Sequence, residues 1–512
     1  MAWPHCWLDW SIMPIPRRAN KQRLTSTSAR YGLSIYTLPM LNGRTYVVSS
    51  PELALAVQRN HKSLAFNPIM IEAIRRMVAF DDDAMAKIKR NLNNEEGKWG
   101  LMYDTHDMMY ATLAPGPELD ELNLAVLDQF ADTINKFDAS GREIKLWAWL
   151  RHHFSLASTN ALYGPQNPFA IHPELEEVFW DYETGLVALL IDFMPSITAR
   201  KAYVSQQRLL AALVEYVEAG RHNEASKLIQ RRIGINRRYG LSTKMQAHGE
   251  LGMLFGSLVN SVPACFWLLV SIYTSPSLLS EIRAEIDHCV SVEGNEGKIN
   301  VHRLKTECPL FASTYREVLR TTASINANRW VMEDTTIAAP NGKEYLLKKG
   351  GVVQVASGVI HASPSVWGPD SDTFNPRRFL PSSSSSSSSS STTAPSATQK
   401  ETESDSTKPV GDRVAESGPS KRHHPAAFRA FGGGQHLCPG RHFAQTEILA
   451  LVALFVAGFE ISASERDGGG VVGAPRREEN RIPLGIQKPV GDVGVVLRRR
   501  GGGGVGRWGF EM

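Results

Sequence analysis

Phe431-Gly-Gly-Gly-Gln-His-Leu-Cys-Pro-Gly-Arg441, with the apolar run Ile448 to Phe459 close behind it, decides how this chain is read. Three conditions meet at Cys438. The glycines let backbone approach a flat ligand without Cβ clashes. The cysteine stands just ahead of a helix start, where free N–H groups and the positive dipole end favour a thiolate. Basic groups flank it at His436 and Arg441. A thiolate so placed can be a nucleophile, a zinc ligand or the axial ligand of a haem iron.

Blander readings compete. Gly432 to Gly434 could be a linker, and a buried cysteine is often only a small hydrophobe. His436, Cys438 and His442 lie close enough together in sequence for zinc, but no second half-site with the usual spacing is visible. A phosphate loop needs a lysine and a hydroxyl that this loop lacks. Haem therefore leads. The pattern Phe431, Gly434, His436, Cys438, Gly440 also resembles, at every fixed position, the signature FxxGx[RH]xCxG of the cytochrome P-450 superfamily.

Composition describes an ordinary globular protein. The 512 residues are 42% hydrophobic and 21% charged, enough for a sizeable core. A net charge of +4 gives no case for a nucleic-acid partner. Five scattered cysteines, at 6, 265, 289, 308 and 438, form no disulfide framework and suit a reducing compartment. Met1 to Pro16 carries Trp3, Trp7 and Trp10 but also Pro4, Asp9 and Pro14, too short and broken to span a bilayer. Residues 1–30 are thus expected to hold no clear anchor.

Along the chain, Tyr31 to Leu38 and Arg44 to Ser49 read as β segments, and Pro51 to Arg59 as a helix capped by Ser50. Helical patterns dominate from about 70 to 290. Gly350 to Gln354, Val359 to His361 and Gly485 to Leu497 read as short strands or loops. The run Ser382 to Ser391 opens a tract with almost nothing to bury, so residues 381–420 are expected to be a disordered insertion. Residues 500–512 read as a Gly-rich tail. Leu251 to Tyr273 is uncharged and long enough to cross a membrane. Gly256, Asn260, Ser261 and Pro263 in its middle favour a buried helix instead, bent where Pro263 frees the carbonyl of Val259.

Further motifs extend the resemblance over most of Tyr31 to Arg499. Ser313-Thr-Tyr-Arg-Glu-Val-Leu-Arg320 is similar to the ExxR motif, and Phe374-Asn-Pro-Arg-Arg-Phe379 to the PxRF motif. The resemblance implies a buried triad of Glu317, Arg320 and Arg378 that braces the loop leading to Cys438. It implies that Arg329 and His436 meet haem propionates, with Phe431, Gly434 and Arg441 also lining the cofactor. Two departures stand out. Pro263-Ala-Cys-Phe-Trp267 sets a register that places Val259 and Asn260 where the family usually carries an acid–alcohol pair. Asn260 there resembles the branch of sterol 7α-hydroxylases and prostacyclin synthase. The helix around Trp99 to Ala114 lacks the usual arginine after its tryptophan, which leaves the propionate contact there open.

The implied fold is mainly α, the P-450 helical prism with a small β subdomain, in one catalytic domain over 31–380 and 421–499. The implied function is a haem-thiolate monooxygenase using haem b, with Cys438 as axial ligand and Asn260 as the catalytic side chain. It would act on a hydrophobic small molecule, terpenoid, sterol-like or polyketide, with O2 and electrons from NADPH-cytochrome P-450 reductase. That reductase would dock where Lys421, Arg422, Arg429 and Arg441 cluster. Alternatives are a haem isomerase or dehydratase needing no external electrons, or an inactive haem-binding protein. The resemblance further implies a monomer on the cytosolic face of the endoplasmic reticulum, or in the cytoplasm if no anchor exists.

Overall fold

Ser50 starts a helix, two residues after the strand Gly43–Val48 ends. Its side chain accepts from Leu53 N at 3.3 Å, Pro51 supplies the first helical turn, and Pro51–Arg59 follows as expected. The computed structural model describes residues 32–40, 43–137, 141–381, 423–478, 485–501 and 505–512. The serine-rich tract and the N-terminal segment lie outside them.

The strands Ile35–Met40 and Gly43–Val48 form an antiparallel pair. Val352–Ala356 joins Gly43–Val48 in parallel and Asn326–Val331 antiparallel, and Leu64–Ala65 completes a five-stranded sheet. Arg329 sits on this sheet opposite Val353. Val359 to His361, expected as strand or loop, belongs instead to a short helix, Ser357–His361, directly after Ala356.

Helices make up the rest of the core. Ser261–Tyr273 is apolar almost all round, and every residue in it except Ser271 is buried, the pattern of a helix enclosed on all sides. It packs on Arg441–Gly458, on Pro309–Thr322 and on Leu146–Tyr163. Together with Thr243–Leu258 it is long and apolar enough to cross a membrane, but 78% of its most apolar window is buried inside the protein. The ladder breaks at Val259–Asn260. Pro263 has no N–H for Val259, and the next bond runs from Ala264 N to Asn260 O at 3.1 Å.

The C-terminal tail needs correction. Arg507–Glu511 is a strand, paired in parallel with Glu296–Asn300, and Trp508 and Phe510 are buried. Behind the glycines at 501–504, the alternation of Trp508 and Phe510 is a half-buried strand pattern.

Candidate functional site

The cysteine loop is built from both ends. Cys438 N donates to Phe431 O at 3.0 Å, and Arg441 Nη1 donates to Cys438 O at 3.1 Å. Between them lies a single 3-10 turn, Gly434–His436. Gly434 has φ +67°, and a Cβ there would press on Gln58, so glycine is required. The helix Leu101–Thr112 supports the loop from beside it. Tyr110 Oη donates to Leu437 O, and His106 hydrogen-bonds the backbone of Gln435. Tyr103 on this helix stacks on Trp99, ring centroids 4.4 Å apart.

Cys438 is free of any disulfide. Burial pushes its thiol above the usual range, opposed by the Gly440 N–H and by Arg441. The expected preference for a thiolate at the helix start is thus outweighed by desolvation in the protein alone. Among the described residues no three His, Cys, Asp or Glu side chains gather as a metal site, so His436, Cys438 and His442 do not make a zinc centre.

Glu317, Arg320 and Arg378 come together. Arg320 Nε and Nη2 hold Glu317 Oε2 and Oε1, both at 2.7 Å, and Arg378 Nε reaches Oε1 at 3.1 Å. Asn375 N donates to the same oxygen at 2.9 Å. Glu317 and Arg320 are 0% and 1% exposed. Arg320 Nη1 also donates to Ser371 O at 2.8 Å and to His361 O. His361 passes the restraint on: its Nδ1 faces Ala323 O, and its Nε2 accepts from Arg429 N at 2.9 Å. Arg429 leads into the glycine loop, so the triad is connected to the Cys438 segment through one imidazole.

Arg329 is buried, its guanidinium 4.8 Å from the Phe66 ring centre. The His436 ring lies against the same Phe66, centroids 4.4 Å apart. Burial, with the charge of Arg429, lowers Arg329 to about 10, and burial with Arg329 lowers His436 to about 4. Arg429 departs from its expected place. It is 2% exposed and no part of an outer docking face. Lys421 and Arg422 lie outside the described residues. Neither Arg329 nor Arg429 pairs with a carboxylate among the described residues. Buried cations without anions, beside a free cysteine and an open glycine backbone, fit a haem and its two carboxylates.

Asn260 stands at the helix break. Its Oδ1 accepts from Ile486 N at 3.0 Å, and a Cβ on Gly485 would lie 1.8 Å from that oxygen. Val259, at the position of the usual acid, is a buried aliphatic. Sequence reasoning singled out the cysteine, the triad, Arg329, His436 and Asn260, of which the structure brings Glu317, Arg320 and Arg378 into direct contact. It missed Tyr110, His361 and Gln58. The signal for His361 was present, as a histidine in an apolar stretch, but its partners are distant in sequence.

Known proteins resemble this chain along most of its length. The family model described as Cytochrome P-450 matches residues 3–469. A cytochrome P-450 monooxygenase of Gibberella zeae is 30% identical over 436 residues, covering 84% of this chain and 75% of its own. Cytochrome P-450 monooxygenase nodJ of Hypoxylon pulicicidum is 28% identical, covering 94% and 86%. Cholesterol 7-alpha-monooxygenase of Cricetulus griseus is 25% identical over 59% of this chain and 55% of its own. Among solved structures, retinoic-acid-bound cyanobacterial CYP120A1 matches with TM-score 0.65 at 16% identity, covering 95% of this chain and 98% of that one.

Proposed function

The chain belongs to the cytochrome P-450 family, and from that premise we propose that it hydroxylates a hydrophobic small molecule of terpenoid, sterol-like or polyketide type. It is a haem-binding monooxygenase with the family's fold. Finer than that, we assign Cys438 as the axial ligand, NADPH through a reductase as the electron source, and Asn260 as the side chain over the reacting centre. Haem, when bound, supplies the activation of dioxygen.

One observation carries the reading of the site: Asn260 is an oriented amide. Its oxygen accepts from the Ile486 N–H, which holds the amide in one orientation and leaves the Nδ2 donor able to act. A donor fixed at a helix break can hold an acceptor oxygen in place. It cannot give up a proton at neutral pH, so protons must come through water, with the Val259 carbonyl, which Pro263 cannot serve, as an acceptor on the way. We assign the walls of the substrate pocket to residues 65–85 and 185–215, Leu254 to Asn260, Ile325 to Arg329, and Gly485-Ile486. A relative named as a cholesterol 7-alpha-monooxygenase supports the sterol-like part of the proposal.

The same amide favours a second reading, rearrangement of a peroxide without external electrons, because such a step asks for no acid. One assay separates the two. Candidate substrates chosen by binding spectra are incubated under oxygen-18 gas, with and without NADPH and reductase. Labelled product that requires both is expected. Turnover without reductant would replace the monooxygenase reading by the isomerase.

A further inference from the structure

Two arginines of this molecule are almost wholly buried, each hydrogen-bonded to His361, and their surroundings differ. Arg320 is 1% exposed and donates to both oxygens of Glu317 and to the carbonyls of His361, Ser371 and Thr373. Arg429 is 2% exposed, and its Nε has no acceptor. A guanidinium at that depth is ordinarily paired and hydrogen-bonded. The Nε2 amide nitrogen of Gln58 is likewise buried without an acceptor. The two are neighbours: Gln58 Nε2 and Arg429 Nη1 lie 2.4 and 3.4 Å from one point, the place a Cβ on Gly433 would take. Arg329 lies close enough for Arg429 to repel it, and its Nη1 donates to the neighbouring Asn328 O at 2.8 Å but to no carboxylate among the described residues. Two buried donors without an acceptor, and beside them a second buried cation without an anion, therefore lack what a carboxylate would supply.

The helix Leu101–Thr112 offers no cation here. Tyr103 stacks on Trp99, and His106 and Tyr110 are occupied with the backbone of Gln435 and Leu437. We propose that Arg429, with Gln58 beside it, anchors a carboxylate of the haem and replaces the cation that this helix lacks. Arg329 then serves the other carboxylate, so two buried positive charges meet two negative ones. Gly433 is small because a side chain there would fill the space between Gln58 and Arg429. The inference rests on the haem reading above and adds a positioning residue to it.

The test measures cofactor retention in the full chain rather than turnover. Wild type, Arg429→Gln and Arg429→Lys are loaded with haem b or with its propionate dimethyl ester, and release to excess apomyoglobin is timed. A charge-assisted hydrogen bond is worth about ten- to a hundredfold in an equilibrium. Arg429→Gln should therefore release haem b at least about tenfold faster than wild type, with Arg429→Lys between them. With the dimethyl ester, which offers no anion, wild type and Arg429→Gln should release alike. Equal acceleration with both haems, or none with haem b, would overturn the proposal. So would failure of both variants to fold, which would assign Arg429 to the fold alone. A wild type that takes up neither haem would instead defeat the underlying haem reading.

Discussion

At Cys438 burial and local charge pull in opposite directions. Desolvation raises the thiol, while Arg441 and the Gly440 N–H favour its anion. The iron we assign to Cys438 would resolve the conflict, since a coordinated thiol loses its proton. Replacing Cys438 by serine should abolish the strongly red-shifted Soret band of the reduced, CO-bound protein. Serine at Cys265, Cys289 or Cys308 should keep it, because these three are buried away from the glycine loop, two of them with Sγ atoms 3.4 Å apart. A normal spectrum from the Cys438 variant would remove this residue from the iron. The loop was legible in sequence because its chemistry is local. Arg429, nine residues upstream, was not: a basic residue near a cofactor loop reads as surface, and only the bond from its N–H to His361, 68 residues away, shows it inside.

Between elements, a few side chains fix how helices meet loops. The bend at Pro263 could be read from sequence, since proline removes a donor wherever it stands in a helix. What the bend presents could not, because Asn260 and Ile486 are 226 residues apart. Gly485 is the small residue that lets them meet. Gly485→Ala would place a methyl 1.8 Å from Asn260 Oδ1, well inside contact distance, so the amide must turn or the loop must retreat. Product formation should fall while haem content stays near wild type; an unchanged rate would separate Asn260 from the chemistry. The triad works in the opposite way, by holding elements rather than aiming a group. Glu317→Ala would leave Arg320 and Arg378 buried without their shared carboxylate, a loss of about 3–5 kcal/mol. Lower melting temperature and poor haem loading are expected, and a variant that melts like wild type would show the carboxylate to be dispensable.

Across the whole molecule the sequence showed a mainly helical core, because apolar helices such as 261–273 and 441–458 declare themselves by composition. It did not show that the last residues close a sheet, or that a carboxyl group lies where the core helices cross. Glu447 is 1% exposed on the helix that follows Cys438, which packs on Ser261–Tyr273 and thereby on Leu146–Tyr163. Burial raises it to about 8; the Ser261 and Ser158 hydroxyls pull the other way without reaching good hydrogen-bond geometry. The folded protein therefore keeps a proton on Glu447 at neutral pH, whereas the unfolded chain releases it near 4.5. Between those values the folded state binds more protons, so rising pH works against the fold. The effect is absent below about pH 4.5 and complete near pH 8, with a ceiling of roughly 4–5 kcal/mol at 1.36 kcal/mol per pH unit. Glu447→Gln keeps the shape and cannot ionise. Its melting temperature, followed from pH 4.5 to 8, should fall less steeply than that of wild type, the gap widening toward pH 8. Parallel curves would mean that Glu447 does not hold its proton in the fold, and that water or a rearranged hydroxyl reaches it where helices 261–273 and 441–458 meet.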